Sequence, residues 1–419
     1  MTTPRPALAP EAARRAFYTL TVTRWLPIGF VVGIFVLLQT SRGLSTAQAL
    51  SVTAITGLVT FALELPTSGF ADALGRRPIY LAAAGLYLVT AAIYALAHSP
   101  WAFAAAAALM GVFRALDSGP LEAWFVDTVH ESTPGADVDQ ELSRAGTWMG
   151  AAMAAGAILS GGLIWWHPVR TAPALDLAVW VFAALSAVHL VASALLMKES
   201  PRHDGSGTRA ARVRSSIREA PLVIRDGIRL LARSRILLGL IVAEVAWSTG
   251  LISFESLMPL RLEELLGSTQ LAGAVVGPAA AAGWALFGVG TFLAGLLSRR
   301  LGVARAAMIG RALNGIGAIT IGLATGPAGL IVAYLFTYTT HGINGPPHSA
   351  LLHRVASASN RSTVLSMNSM MAFLAFAIAS PLAGWLAEQT SLAVAAVTVG
   401  VISVFGVLGY LPARRAEVR

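Results

Sequence analysis

The sequence contains a succession of apolar blocks, each long enough to form a helix that crosses a lipid bilayer. A membrane-spanning helix needs about 20 mostly apolar residues. Helices are the only solution for a single crossing, because a lone strand would leave its backbone groups unpaired in lipid. The blocks predict an all-α membrane protein with twelve spans. We place the spans at residues 17–39, 47–68, 78–98, 101–126, 145–166, 173–197, 236–259, 270–297, 303–325, 328–352, 362–387 and 391–411.

Composition argues against a soluble globular protein. Apolar residues make up 56% of the chain and charged residues only 12%, whereas charged residues make up about 25% of a typical soluble domain. A soluble chain of 419 residues would need more polar surface than this to cover its core. Lipid must therefore cover much of the molecule.

The positive residues predict the orientation of the spans. Cytoplasmic loops of membrane proteins carry an excess of Lys and Arg. With the N-terminus in the cytoplasm, most of the 30 positive residues fall in cytoplasmic segments, and the opposite loops hold only Arg42, Arg170 and Arg261. We therefore expect both termini to be cytoplasmic and the first span to be uncleaved. Abundant alanine and arginine, with Lys198 as the only lysine, favour a multi-pass protein of the bacterial cytoplasmic membrane.

A long polar segment divides the spans into two sets of six. The predicted organisation is a cytoplasmic segment at 1–16, a six-helix bundle at 17–197, a cytoplasmic linker at 198–235, a second bundle at 236–411 and a tail at 412–419. In the linker, Ile217, Ile224, Ile228 and Leu231 fall on one helical stripe. The stripe predicts a short helix, which lies either on the inner leaflet or in the cytosol without lipid contact.

The two halves repeat one another at matching places. The segment "SGFADALGRRP" (68–78) follows the second span and "GLLSRRLGVAR" (295–305) follows the eighth, with Gly75 and Gly302 in equivalent positions. In the fourth and tenth spans, "SGPLEAWFVDTV" aligns with "NGPPHSALLHRV". Parallel repeats of this kind predict two bundles that rock about a central site.

The first of these segments resembles the signature of the major facilitator superfamily, a Gly-x-Leu-Ala-Asp-Arg-x-Gly-Arg-Lys pattern. Ser68 and Ala73 depart from it, and the matching residues are Asp72, Gly75, Arg76 and Arg77. The resemblance implies a secondary transporter that works by alternating access. It also implies that Asp72, Arg76, Arg77 and Asp127 latch the cytoplasmic gate in the outward-facing state. The alternative is an anchor of solvated charges that only fixes the topology.

Ionisable residues inside the spans are candidates for substrate binding or proton coupling, because a charge at the bilayer centre costs at least about 2.5–3.5 kcal/mol. Arg114 and Asp117 lie three residues apart on one face of the fourth span, where the family often has an arginine linked to proton coupling. They can alternatively form a structural ion pair. Gly119 and Pro120 follow and predict a kink, and Glu122 lies one turn further on.

The seventh span contains two carboxyl groups, Glu244 and Glu255, that have no basic neighbour in the sequence. Buried carboxyls of this kind can exchange protons, which a proton-coupled carrier requires. The competing interpretation is an ion pair with Arg24 or Arg311 from another span. Arg24 and Glu64 both fall in the inner third of their spans, and we expect them to pair with each other or to extend toward the interface.

The tenth span contributes two histidines. His341 lies near its middle, and His348 occupies the position that Glu122 has in the repeat. Each is either a hydrogen-bonded packing residue or a coupling residue. In the fifth span, Gly161 and Gly162 match part of an antiporter signature that lacks its Gly-Pro pair here, and such glycines allow helices to approach closely.

Together these observations predict a proton-coupled exporter of a small organic, amphipathic or cationic compound, of the multidrug efflux type. The alternative is a symporter or facilitator that imports a nutrient or metabolite. We find no metal-ligand spacing, nucleotide-binding loop or catalytic domain, so we expect no enzyme activity, cofactor or metal site. No basic segment is interleaved with aromatic residues as in a nucleic-acid interface. The expected partners are the substrate, protons and the lipid bilayer, with the protein as a monomer.

Overall fold

The computed structural model describes residues 8–67, 70–199, 221, 225, 227–357 and 360–418, and every regular element within them is helical. The first half contains α1 (Pro10–Val31), α2 (Phe35–Ser41), α3 (Thr46–Thr67), α4 (Phe70–Leu74), α5 (Arg76–Leu96), α6 (Pro100–Asp117), α7 (Pro120–Ser132), α8 (Asp139–Trp166) and α9 (Asp176–Leu196). The second half contains α10 (Arg235–Ile252), a π-helical segment (Ser253–Leu257), α11 (Met258–Leu266), α12 (Thr269–Leu301), α13 (Val303–Leu323), α14 (Pro327–Val355), α15 (Arg361–Gln389), α16 (Leu392–Phe405), a 3₁₀ segment (Gly406–Tyr410) and α17 (Leu411–Val418).

Ten helical segments of the described chain are long and apolar enough to cross a membrane. An eleventh is obtained if α1 and α2, which meet at a bend of 41°, count as one span. Helix α14 has 29 residues but carries tyrosine, threonine, histidine and asparagine, and it falls short of the same test. The all-helical membrane fold is thus confirmed, while the number twelve and the cytoplasmic position of the termini stay predictions.

Serine residues begin several of these helices. The hydroxyls of Ser99, Ser234, Ser268 and Ser391 each accept a hydrogen bond from the backbone N–H three residues further on, at 3.2 Å. Such caps satisfy N–H groups that have no partner within the helix. They therefore explain why α6, α10, α12 and α16 start where they do.

The helices of each half pack mainly against one another. In the first half, α1 packs against α8 and α9, and α5 against α6 and α9. In the second half, α14 packs against α12 and α13, and α10 against α15 and α16. The halves meet mainly where α3 packs against α15 and α8 against α12. These two contacts are equivalent under the sequence repeat.

Glycine allows the contact between α8 and α12. A β-carbon on Gly161 would lie 2.6 Å from the carbonyl oxygen of Ala274, and one on Gly277 would lie 2.1 Å from the carbonyl oxygen of Ala157. The predicted role of Gly161 in close helix approach is confirmed. Gly162 faces open space instead.

Two opposite faces of the molecule differ in how the halves meet. The terminal face is formed by the start of α1, the turn that follows α7 and the end of α9, where Arg14 pairs with Glu141 at 2.9 Å. The opposite face, called distal, is closed between the halves, because the backbone N–H of Ala47 donates to Glu388 at 2.7 Å.

Exposed tryptophans lie near the distal ends of several helices. Trp101 at the start of α6 is 84% exposed, Trp165 at the end of α8 is 71% exposed, and Trp385 in α15 is 57% exposed. Indole side chains favour the border between lipid and water. Their position is typical of a membrane boundary at the distal face.

The last part of the linker, residues 227–233, is helical. A β-carbon on Gly227 would overlap a methionine side chain of α15, so this helix packs against the second half. Ile228 is exposed. Of the predicted apolar stripe, Ile217 and Ile224 lie outside the described residues.

Candidate functional site

The turn between α4 and α5 contains the signature residues. Gly75 has a φ of 103°, which a residue with a β-carbon rarely adopts. The Nε atom of Arg76 lies 3.5 Å from a carboxylate oxygen of Asp127 in α7. Arg77 does not join this pair, because its guanidinium donates to backbone carbonyl groups at the end of α9. The side chain of Asp72 lies outside the described part of the structure.

Glu199 belongs to this cluster, although nothing in the sequence singled it out. Its two carboxylate oxygens accept hydrogen bonds from the backbone N–H groups of Arg76 and Arg77, both at 2.9 Å. The Trp124 indole donates to the carbonyl oxygen of Lys198 at 2.7 Å and fixes the chain beside it. A carboxylate at this place offsets the partial positive charge at the start of α5.

The second half repeats this arrangement with Glu417. Its carboxylate oxygens accept hydrogen bonds from the backbone N–H groups of Val303 and Ala304, at 3.1 and 3.0 Å. Arg354 pairs with it at 2.8 Å. Glu199 and Glu417 each follow the last span of their half, and that shared position is the sequence signal that could have identified both.

In the first half, the charges inside the spans form one ion pair between α1 and α6. The Nε atom of Arg24 lies 2.8 Å from a carboxylate oxygen of Asp117. The guanidinium carbon also lies 4.4 Å from the ring centre of Phe113 and 5.0 Å from that of Tyr87. Of the alternatives that the sequence leaves open, the ion pairs of Arg24 with Glu64 and of Asp117 with Arg114 are not found in the described residues. The Nη1 atom of Arg24 has no hydrogen-bond partner there.

Arg114 lies at the border between the two halves. It is exposed, and its guanidinium lies 5.6 Å from the ring centre of Phe373 in α15. A side chain that is exposed and yet faces the other half borders an open space between them. The charge of Glu64 in α3 interacts with that of Arg114.

The predicted kink in the fourth span is confirmed. Helix α6 ends at Asp117 and α7 begins at Pro120, with Gly119 between them at a φ of 89°. The break places Asp117 at a helix end, where its carboxylate can reach α1. Glu122, in the first turn of α7, is exposed.

In the second half, Glu255 lies among aromatic rings. It accepts a short hydrogen bond from the hydroxyl of Tyr338 in α14. The ring of Phe254 lies 5.5 Å from that of Tyr338, and the ring of Trp284 lies 5.6 Å from it. Within the described residues Glu255 has no ion pair, so the competing interpretation, a pair with Arg24 or Arg311, is not observed there.

Glu255 is placed there by the π-helical segment Ser253–Leu257. A π segment adds one residue to a helical turn and rotates the side chains that follow it, and such segments are frequent at functional sites. The sequence showed a carboxylate in an apolar helix but gave no sign of this irregularity.

His341 lies one turn beyond Tyr338 on α14. Its ring stacks on that of Trp247 in α10, with centres 5.5 Å apart and planes at 12°. The Trp247 indole N–H donates to Nδ1 of His341 at 3.3 Å. His341 also lies 5.0 Å from Phe287, ring centre to ring centre. The histidine is therefore a member of the aromatic group around Glu255.

Glu244 has a partner that the sequence did not reveal. One of its carboxylate oxygens lies 3.3 Å from Nε2 of His348. The same nitrogen lies 3.0 Å from the amide oxygen of Asn368, and Nδ1 lies 2.9 Å from the hydroxyl of Tyr410. Glu122 of the first half and His348 of the second occupy equivalent positions in the repeat. The glutamate is exposed, whereas the histidine is buried.

Arg311 in α13 completes this network. Its side chain is 1% exposed, and its Nη2 atom donates to the Tyr410 hydroxyl at 3.2 Å. Within the described residues, its Nε and Nη1 atoms have no hydrogen-bond partner. The described residues also include no group of three or more acidic or histidine side chains that could hold a metal ion.

Comparison with known families gives a match over most of the chain. The model of the Major Facilitator Superfamily matches residues 17–288 and 280–419. A search of curated proteins found no match.

Solved structures with the same fold include the nucleoside transporter NupG, with a TM-score of 0.77 at 12% identity, covering 95% of this chain and 98% of that chain. A POT family transporter in complex with 5-aminolevulinic acid has a TM-score of 0.71 at 14% identity, covering 94% of each chain. At these identities the likeness shows the fold alone.

Proposed function

The chain belongs to the major facilitator superfamily, and on that premise we propose that this membrane transporter exports small organic cations in exchange for protons by alternating access. The observation that carries the proposal is the carboxylate of Glu255, which lies among aromatic rings without an ion pair in the described structure. Aromatic faces together with a carboxylate are the arrangement that recognises organic ammonium groups.

Exchange follows from the charge on Glu255. A buried carboxylate needs a compensating positive charge, which either a proton or a cationic substrate can supply. A proton and a cationic substrate cannot be bound at the same time without leaving an excess positive charge in an apolar site. Binding of the cation therefore releases the proton, and uptake of the proton releases the cation. Asp117 is less suited to this exchange, because Arg24 already neutralises it.

Access to the site is controlled from the terminal face in this proposal. The halves are in contact at the distal face, whereas Arg114 and Glu122 are exposed. With the termini in the cytoplasm, this corresponds to an inward-facing conformation. We propose that Asp72, Arg76 and Asp127 stabilise the opposite, outward-facing state. Asp72→Asn should then increase the inward-facing population, which distances between spin labels on the two halves at the terminal face would report.

Import of a neutral nutrient is the second candidate. Solved structures with this fold include the nucleoside transporter NupG, and the rings around Glu255 could equally stack on a nucleobase. A neutral solute would not displace the proton from Glu255. Proton release on ligand binding therefore separates the two candidates.

The test uses purified protein in weakly buffered detergent solution. Addition of tetraphenylphosphonium, a lipophilic organic cation, should release protons from the parent protein, and uridine should not. The Glu255→Gln variant should release none. Glu264→Gln, a change at an exposed distal carboxylate, is the control. Stabilisation by uridine with no response to the cation would reject cation export in favour of import.

A further inference from the structure

Helix α10 and the π segment that follows it contact α14 through three successive side-chain pairs. Starting nearest the distal face, Glu255 accepts from Tyr338, Trp247 stacks on His341, and Glu244 lies against His348. The two helices run in opposite directions, so from the distal face inward the residue numbers rise along α14 and fall along α10. We call these three pairs the α10–α14 ladder. It connects the proposed cation site to the terminal half of the molecule.

The pair nearest the terminal face is joined to a directional hydrogen-bond chain. Arg311 donates to the Tyr410 hydroxyl, which donates to Nδ1 of His348. Nε2 of His348 then carries the proton and faces both Glu244 and the amide oxygen of Asn368. The Tyr410 hydroxyl and Nε2 of His348 each have an acceptor in this arrangement, which corresponds to the neutral form of the imidazole.

The groups linked to Glu244 through His348 come from four elements. His348 belongs to α14, Arg311 to α13 and Tyr410 to the 3₁₀ segment, while α15 contributes only the Asn368 amide. With Glu244 ionised, the group is neutral overall because Arg311 is always charged. Uptake of one proton makes it positive. The group can therefore store one proton, at a place separate from Glu255.

Asn344 lies between the middle and the last pair of the ladder. It is three residues after His341 and four before His348, so the three share one face of α14. Its side chain is 3% exposed, and neither amide atom has a hydrogen-bond partner in the described structure. Buried polar groups of this kind usually bind an ordered water. Water at Asn344 would lie between the two histidines, which are about 10 Å apart along the helix.

We propose that Glu244 and His348 form a second proton-binding site, which exchanges protons with Glu255 by way of water bound at Asn344. In this step the O–H bond of the protonated Glu255 breaks and an O–H bond forms on Glu244, so that one carboxylate is ionised as the other is neutralised. The inference rests on the proposed proton exchange at Glu255. It adds the route by which that proton reaches the terminal face.

The first experiment follows the carboxyl groups directly, without any substrate. Infrared spectra of the purified protein across a pH titration report each protonated carboxyl by its C=O stretch. We expect Glu244→Gln and Glu255→Gln each to remove a different band. His348→Gln should shift the midpoint of the Glu244 band and leave the Glu255 band unchanged. His353→Gln, an exposed histidine on the same helix, should shift neither.

The second experiment measures transport of tetraphenylphosphonium in proteoliposomes. Glu244→Gln and Asn344→Leu should reduce accumulation driven by a pH gradient roughly a hundredfold, the usual weight of a positioned proton-transfer group. Downhill exchange should stay within about twofold of the parent, because the cation site is intact.

The two proposals fail in different ways. If His348→Gln leaves the Glu244 band unshifted, or if Glu244→Gln accumulates the cation at the parent rate while Glu255→Gln does not, the second proton site is rejected. If Glu255→Gln also accumulates the cation at the parent rate, proton exchange at Glu255 itself is rejected.

Discussion

The two halves of the molecule share a helix arrangement but neutralise their buried charges differently. In the first half, Arg24 and Asp117 form an ion pair enclosed by aromatic rings. In the second half, Glu255 is bound by a tyrosine hydroxyl and Glu244 by a histidine. A pair of opposite charges is neutral without a proton. A carboxylate beside a neutral partner becomes neutral only when it binds a proton.

This difference assigns separate tasks to the two halves. The ion pair of the first half joins α1 to α6 and needs no proton to be neutral. The carboxyls of the second half can change charge without disturbing it. On the proposed function, the repeat preserves the framework, while the chemistry that responds to protons lies in α10, the π segment and α14.

The largest effect is expected from Asp117→Ala. The change leaves Arg24 buried without its partner, and removal of one member of a buried pair costs about 3–5 kcal/mol. Denaturant unfolding in detergent micelles would measure the loss. The double variant Arg24→Met with Asp117→Leu should recover most of it. If Asp117→Ala unfolds at the same denaturant concentration as the parent, the Arg24–Asp117 pair does not stabilise the first half.

Glu255→Gln should leave stability nearly unchanged and reduce transport. The glutamine carbonyl can still accept the Tyr338 hydrogen bond, so the free energy of unfolding should change by less than about 1 kcal/mol. Transport driven by a pH gradient should nevertheless fall roughly a hundredfold. The same micelle unfolding assay and a proteoliposome assay would provide both numbers. A large loss of stability here would make Glu255 a structural residue and remove the contrast between the halves.

The contact between the halves can be changed without touching either charge site. A β-carbon on Gly277 would overlap the carbonyl oxygen of Ala157, and overpacking of this kind costs about 1–3 kcal/mol. Gly277→Ala should therefore open the distal face. Spin labels at the exposed residues Gln48 and Gln389 should move apart. Gly162→Ala, which faces open space, should leave their distance unchanged.

The smallest effects are expected at the repeated carboxylate caps. Glu199→Gln and Glu417→Gln each weaken two hydrogen bonds at a helix start, a loss of about 0.5–2 kcal/mol. Equal losses in thermal unfolding would mark the caps as a shared structural device. A change in the conformational distribution with Glu199→Gln alone would instead tie the first-half cap to gating. Glu11→Gln, at an exposed surface pair, is the control.

Most of the framework could be predicted from the sequence, because lipid imposes length and hydropathy on every span. The predicted span at 303–325 is observed as Val303–Leu323, and the one at 47–68 as Thr46–Thr67. The exceptions are bends that depend on packing. The break after α1 and the π segment after α10 leave no mark in hydropathy.

The candidate site was only partly predictable, for a related reason. The cost of burying charge identifies which residues need partners but not which partners they find. Asp117 was singled out, yet its contact with Arg24 joins residues 93 positions apart. The partners of Glu244 and Glu255 are a histidine, a tyrosine and aromatic rings, which are common in any membrane helix. Only the meeting of α10 with α14 distinguishes them.

The π segment between α10 and α11 has a consequence for the evolution of this protein. One residue inserted into a helix is enough to produce such a segment, and its deletion restores a regular turn. Deletion of one residue within Ser253–Leu257 would turn α10 by about 100° relative to α11, and Glu255 and Tyr338 would no longer face each other. A single codon gained or lost could therefore switch the carboxylate into or out of the interior. Relatives that differ by one residue in this stretch should differ in their dependence on protons, even where every side chain named above is retained.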